Sequence, residues 1–424
     1  MEQQFLKCGY TIVNNTQVAD IYVINTCTVT NMAERKSRQM LKRVKKINPL
    51  AILLVCGCYA QVAPKELEEI PEIDMILGVN EKNNIVEIVE NYKKQLKRVE
   101  VSDVSNQNEF NDFGDVTYTE KNRAVIKVQD GCNMFCSYCI IPYARGRIRS
   151  RKIESVISEI DKIAKQGIKE VVITGIHVAS YGKDFKDENV TLIDLLEKIN
   201  QIDGIERIRL SSLEPTIIDE EFALRLSKLE KICDHFHLSL QSGCDDTLKR
   251  MNRKYTTARY KEAIELLRKY YPRVSFTTDV IVGFPGETEE EFAKTYEFLK
   301  EIDFYKMHIF KYSQRRGTVA EKLPNQVDGN IKEARSNKLI KLSNDSENIH
   351  NKQYIGKTVK VLFEEYENGY FKGHTTNYIM VKVNGDEAKT NEFVDNIKEV
   401  EIIENNEETR ELIGKCDWQK DIRW

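Results

Sequence analysis

Three cysteines stand at positions 132, 136 and 139, spaced Cys-x-x-x-Cys-x-x-Cys just after the apolar run AVIKVQ. Thiolates so spaced on one short loop can hold three irons of a [4Fe–4S] cluster. The fourth iron then keeps an open position, which S-adenosylmethionine (SAM) can chelate through its amino and carboxylate groups. Electron transfer from the cluster into the bound sulfonium cleaves it to a 5′-deoxyadenosyl radical. Zinc or buried structural thiols are the competing readings. Zinc takes four closed ligands, usually as two separated pairs, and no fourth Cys or His stands near this loop.

Cys27 and Cys58 are the next cysteines placed for chemistry. Each closes a short apolar run, DIYVINTC and AILLVCGC, where open parallel sheets place their ligands. Cys8 ends a helical segment in KCGY, and Cys56 is expected to point away from the site that Cys58 serves, though near enough to compete. Cys233, Cys244 and Cys416 stand alone and read as ordinary thiols.

The elements that must position these residues follow from hydrophobic periodicity. From Asp20 to about Tyr92, short apolar runs alternate with amphipathic ones, which predicts a small doubly wound sheet in an N-terminal domain over residues 1–95. Residues 96–120 are polar and aperiodic, as a linker would be. Over 121–345, six strand-like runs (AVIKVQ, EVVITG, RIRLSS, HFHLSL, SFTTDVIVG, FYKMHIF) alternate with helical patterns such as IESVISEIDKIAKQ, which ends at Gly167. With no seventh or eighth unit, this reads as an open, partial (β/α)6 barrel. The segments after its strands are DGCNMFCSYC, GIH, SLEP, QSGC, GFPGE and KYS. Active sites of β/α barrels form at that end. From 350 to 416 the pattern alternates apolar and polar residues around Asn-Gly turns, predicting an all-β barrel of about five strands like an OB-fold. The fold class is therefore α/β with a C-terminal all-β module.

The 424 residues carry a formal net charge of −3, so attraction for nucleic acid must come from local basic runs. Two exist, Arg35 to Lys46 and Arg145 to Lys152. A solvated helix face is the alternative for the first. No apolar stretch reaches the roughly 18 residues of a membrane span, and the first residues lack the layout of a signal peptide. A reducing cytosol is expected, where ten cysteines serve as metal ligands or buried thiols rather than disulfides.

The segment GCNMFCSYCIIPYARGRIRSR resembles the radical-SAM signature of the methylthiotransferases. NTCTVT around Cys27 and GCYAQ around Cys58 resemble cluster-binding segments of that family's N-terminal domain, and the C-terminal module resembles its RNA-binding TRAM domain. The resemblance covers nearly the whole chain. It implies a second, auxiliary [4Fe–4S] cluster with Cys27 and Cys58 as two of its ligands. The third is expected upstream, in a Gly-Cys-x-x-Asn segment, whereas this sequence begins at a methionine that falls within the following helix. Either the start lies further upstream, or this form lacks a ligand and with it the sulfur-insertion step.

TGIHVASYG and RLSSLEP resemble the branch acting on threonylcarbamoyladenosine in tRNA, where the isopentenyladenosine branch carries a GQNVNSYG-like segment. A third branch modifies an aspartate of a ribosomal protein. The implied reaction puts a methylthio group on carbon 2 of the adenine beside the anticodon. The implied partners are the tRNA anticodon loop, an electron donor such as flavodoxin or ferredoxin, and a sulfur donor. Tyr138 is expected against the adenine of SAM, with Gly175, Glu214, Gln241, Ser242, Asp279 and Gly283 at strand ends facing the SAM pocket. Gly283 and Gly286 also suit a tight turn, and His177 suits a polar core as well as a site. Tyr370, Phe371, His374 and Tyr378, interleaved with Lys372 and Lys382, suit base stacking with phosphate contact, although half of these aromatics must face the barrel core. Two rivals remain: a radical-SAM enzyme with no second cluster, and an RNA-binding protein with a structural metal.

Overall fold

In the computed structural model, which describes residues 1–92, 98–112, 114, 122–186 and 189–416, apolar runs become strands wherever helices can cover them. Ile21–Thr26, Ile52–Gly57, Met75–Leu77 and Arg98–Glu100 form a parallel sheet in chain order. Alternation along the second strand sends Leu53 and Val55 to one face, with Leu41 and Val44 of helix Asn31–Ile47. Leu54 and Cys56 go to the other, with Phe5 of helix Glu2–Lys7 and Ile85 and Val89 of helix Ile85–Glu90. The expected linker begins later than its polarity suggested. Arg98–Glu100 pairs with Met75–Leu77 as the sheet edge, and three residues are too few to display a period. Residues 113 and 115–120 of that segment lie outside the described residues.

The chain packs into two compact units. One comprises Met1–Thr117, Asp130–Ser150 and Ser313–Leu323, so the three-cysteine loop groups with the N-terminal sheet. The other comprises Tyr118–Gln129, Arg151–Tyr312 and Pro324–Trp424.

In the second unit, Arg123–Asp130, Glu170–Gly175 and Arg207–Leu210 run parallel, as do His235–His237, Ser275–Val282 and Lys306–Lys311. Single parallel bridges, Ile208 to Ile232 and Leu213 to Leu238, join the two sets into an open six-stranded barrel wall. Its core runs from Ile126 and Val171 through Leu196, Phe236 and Val280 to Leu299.

The C-terminal five strands close into a barrel around Phe363, Phe371 and Phe393, the last two stacked 4.6 Å apart. Asn368 and Gly369 take φ of 53° and 84°, the left-handed pair that a tight hairpin needs. The loop after strand Tyr370–Thr375 seats on the starts of the six-strand wall. Arg207 donates to His374 O (2.9 Å) and Lys360 O (3.0 Å), and Arg209 to Thr376 O (2.9 Å) and Thr375 O (3.3 Å). Between them Glu170 is 1% exposed and accepts from Arg209 Nε at 2.8 Å. Burial alone would raise the Glu170 carboxyl, but Arg209, Arg123 and Arg207 hold it below its ordinary value.

Candidate active site

The three-cysteine loop is shaped by one glycine and closed by one backbone bond. Gly131 has φ +70°, and a Cβ there would lie 1.7 Å from Arg147 O, so no other residue fits. Its N–H donates to Asp130 Oδ1 (2.8 Å), while Cys132 N–H donates to Gly146 O (3.0 Å) and ties the loop's ends together. Phe135 takes φ +49°, unusual for an aromatic residue, and lies beneath the Arg147 guanidinium at 4.6 Å. Cys139 N–H donates to Cys136 O (2.9 Å) in the turn that leads into helix Ile141–Arg145. Cys132 and Cys136 are buried and Cys139 is half-buried, with Tyr138 half-buried between them. Met134 N–H already points at Cys132 Sγ (3.4 Å).

Cys27 and Cys58 come from neighbouring parallel strands. Their registers end level, Thr26 opposite Gly57, so each cysteine leaves the sheet beside the other. Gly57 makes this possible: it has φ +101°, and a Cβ would meet Thr26 O at 2.3 Å. Cys58 is buried at the start of helix Cys58–Val62, and Arg145 Nε donates to its sulfur at 3.3 Å. Cys27 is exposed and its sulfur accepts from Val29 N–H at 3.5 Å. Cys56 lies wholly inside the core on the far face of the sheet, and Cys8 is exposed at the end of the first helix. Arg315, which sequence reasoning missed, pins the loop after Cys27 by donating to Thr28 Oγ1 (2.6 Å), Asn31 Oδ1 (2.6 Å) and Glu34. An open cleft in this unit runs past Thr28, Asn31, Tyr143 and Arg316.

The strand-end residues of the second unit fall into two groups. Glu214 is buried and holds Arg253 Nη2 at 2.6 Å, with His177 Nε2 3.1 Å away but off a hydrogen-bonding line. Burial would raise its carboxyl, yet His177 and Arg253 hold it below the ordinary glutamate range. Asp279 lies 3.3 Å from His237 Nε2, and Gln241, at φ +71°, bonds through its backbone to Asp279 and Ile281. Gly175 packs against Gln129, whose Oε1 accepts from His177 N–H at 2.7 Å. Ser242 does not join them. It is fully buried, and its hydroxyl is engaged by Thr295 Oγ1 (3.2 Å) and Cys244 N–H (3.2 Å), behind the strand ends. Gly283 donates to Glu287 Oε2 (2.6 Å), and a Cβ there would strike Lys332, so it and Gly286 form the expected turn. His177, His237, Arg253 and Gln129 form these clusters. His177 was singled out in the sequence, whereas His237, Arg253 and Gln129 escaped because each sits on a different strand or loop.

Residues 126–299 match the radical SAM superfamily, and residues 1–78 match a family described as Uncharacterized protein family UPF0004. The chain is 40% identical over 398 residues to Threonylcarbamoyladenosine tRNA methylthiotransferase MtaB of Bacillus subtilis (strain 168), covering 92% of this chain and 88% of the relative. It is 42% identical to the protein of the same name from Aquifex aeolicus (strain VF5), over 91% of this chain and 92% of that one. It is 38% identical to the tRNA-2-methylthio-N(6)-dimethylallyladenosine synthase of Caldicellulosiruptor saccharolyticus, over 93% and 84%.

The chain belongs to the radical-SAM tRNA methylthiotransferase family. Among solved structures, this methylthiotransferase resembles the radical S-adenosylmethionine methyltransferase TsrM from Kitasatospora setae, with TM-score 0.53 and 17% identity. The likeness covers 70% of this chain and 64% of that one, and at that identity it is one of fold alone. Membership implies a [4Fe–4S] cluster and SAM. The residues fit such a cluster: three cysteines share one loop, two of them buried, and a backbone N–H is already aimed at a sulfur. No helix among the described residues is long and apolar enough to cross a membrane.

Proposed function

We propose that this methylthiotransferase replaces the carbon-2 hydrogen of N6-threonylcarbamoyladenosine, next to the anticodon of tRNA, with a methylthio group. The observation that carries this is the 40% and 42% identity to two relatives named for that activity, each over nine-tenths of the chain. Unpaired bases in an anticodon loop present their edges with little unstacking cost.

Cys132, Cys136 and Cys139 would ligate the [4Fe–4S] cluster, leaving one iron open to SAM. When bound, the cluster and SAM supply a 5′-deoxyadenosyl radical, and SAM also supplies the methyl group. Gly131 and the Cys132-to-Gly146 bond hold the loop's curvature, and Met134 N–H donates to a ligand sulfur. Tyr138, Gly175, Glu214, Gln241, Asp279 and Gly283 remain the proposed SAM contacts, with Arg253 and His177 keeping Glu214 ionised. Cys27 and Cys58 would supply two thiolates to an auxiliary cluster. Neither Cys56, fully buried, nor Cys8, exposed at the end of the first helix, stands with them, so a ligand from outside these residues would complete the auxiliary site and allow sulfur insertion. The reading places N-terminal, radical-SAM and TRAM domains at about 1–95, 121–345 and 350–416, and sets the enzyme in the cytoplasm with an external electron donor and sulfur donor.

A second reading has its own support in the 38% identity to a dimethylallyladenosine synthase. Anaerobically reconstituted enzyme, given SAM, reductant and sulfide, should methylthiolate tRNA carrying threonylcarbamoyladenosine and leave isopentenyladenosine tRNA unchanged, read by mass spectrometry of nucleosides. The opposite preference would replace the first reading with the second.

A further inference from the structure

Helix Asn31–Ile47 holds seven lysines and arginines against one glutamate, in a chain whose net charge is −3. Its inner face is accounted for: Leu41 and Val44 are fully buried against the sheet, Lys45 pairs with Asp74 at 2.8 Å, and Arg38 donates to Tyr59 Oη at 2.7 Å. Arg35, Lys36, Lys42, Arg43 and Lys46 are exposed, and none has a partner among the described residues. At 3.6 residues per turn these five fall within an arc of about 120°, over about 16 Å of helix. Five like charges gathered on one face repel one another, so the fold gains nothing from the arrangement.

The helix is also fixed in place at one end. Thr30 Oγ1 caps it by accepting from Ala33 N–H (3.1 Å), and Arg315 ties down Asn31 and Glu34 in its first turn. Thr28, Asn31 and Glu34 border the cleft beside Tyr143, so the row of cations leads away from that cleft.

The C-terminal barrel, expected to bind RNA, is the opposite case. Residues 356–416 contain eight lysines and arginines against thirteen aspartates and glutamates. Lys372 pairs with Glu367 and Glu365, Lys382 with Glu411 (2.5 Å), Lys398 with Glu392 (3.5 Å) and Lys415 with Glu401 (3.4 Å). Phe371 is core, and His374 and Tyr378 are stacked on each other at 4.5 Å, with Arg209 over Tyr378 at 4.6 Å. Only Tyr370, which is half-buried, keeps the expected outward freedom.

We infer that the exposed face of helix Asn31–Ile47 is the main phosphate-binding surface for the RNA, taking the backbone of the anticodon stem while the loop enters the cleft. This rests on the tRNA reading above. Phosphate neutralisation makes affinity fall with salt, with a log–log slope that grows by about 0.7 to 0.9 for each contact.

The test uses the full chain and a synthetic anticodon stem–loop titrated across salt concentrations. The variant Arg35→Gln/Lys42→Gln/Arg43→Gln/Lys46→Gln should lower the slope by about 3 and weaken binding at least tenfold at low salt. Its iron content, melting temperature and RNA-independent SAM cleavage should stay at the wild-type level. Lys372→Gln/Lys382→Gln in the barrel should change the slope by less than about 1. An unchanged slope in the helix variant, or a larger loss in the barrel variant, overturns the inference. So does a wild-type chain that ignores the stem–loop but binds an acidic peptide or anionic vesicles through the same four residues. A wild-type chain that binds the stem–loop through these residues yet never methylthiolates threonylcarbamoyladenosine removes the substrate reading and leaves the phosphate surface standing.

Discussion

The two cysteine sites are built on different principles. Cys132, Cys136 and Cys139 lie on one loop whose shape is local: a glycine that tolerates no Cβ, a backbone bond across its neck and a turn between the last two ligands. Cys27 and Cys58 are neighbours only because two parallel strands end in register and Gly57 lets their backbones touch. The first site can be read as spacing, and it depends on few residues beyond its own segment. The second is a product of the sheet, and its surroundings are recruited from afar: Arg145 onto the Cys58 sulfur, Arg315 onto the loop after Cys27.

Substitutions should separate the two. The largest effect is expected for Cys136→Ala, which should abolish SAM cleavage and remove the iron of the first site. Cys58→Ala should instead keep SAM cleavage and lose methylthiolation. If Cys58→Ala also stops SAM cleavage, the sites are not separate in the sense drawn here. Anaerobic iron analysis with 5′-deoxyadenosine quantitation reads both. An intermediate effect is expected for Arg145→Gln, which removes the donor to Cys58. A loss of about tenfold in methylthiolation is the scale usual for a group that orients a metal ligand. A changed electron paramagnetic resonance signature at constant iron content would mark that role, whereas a lowered melting temperature alone would mark Arg145 as structural. The smallest effect is expected for Cys56→Ser. The Cys56 sulfur donates to Asn25 Oδ1 (3.9 Å), so a hydroxyl there keeps a partner and should cost little stability, with iron content and activity unchanged; lost iron would make Cys56 a ligand.

The same contrast explains what was legible in the sequence. The six wall strands and the three-cysteine loop were readable because each is announced by an unbroken run or a fixed spacing. The edge strand Arg98–Glu100 was not, since three residues in a polar stretch carry no period. The burial of Ser242 could not be read, because a residue just past a strand can face inward or toward the covering helix, and here its hydroxyl meets Thr295 of helix Glu289–Ile302. Arg315 was invisible as a partner of Thr28, since the two are 287 residues apart. His374 and Tyr378 were rightly seen as aromatic and polar, but alternation says only that a residue leaves the barrel core. It does not say what waits outside, which here is the arginine-lined end of the six-strand wall.

That end of the wall has a consequence for how the molecule comes apart. Glu170 is sealed among Arg123, Arg207 and Arg209, and those arginines are satisfied in turn by carbonyls and Glu364 of the C-terminal barrel. Lifting the barrel away would exchange these hydrogen bonds and the Arg123–Glu364 pair for water, at a net cost of about 1 kcal/mol for each bond lost. The barrel therefore cannot swing out on a tether to fetch RNA and return. It is a fixed end-plate that melts with the wall it closes, so any flexibility the enzyme uses in taking up its substrate has to reside elsewhere in the chain.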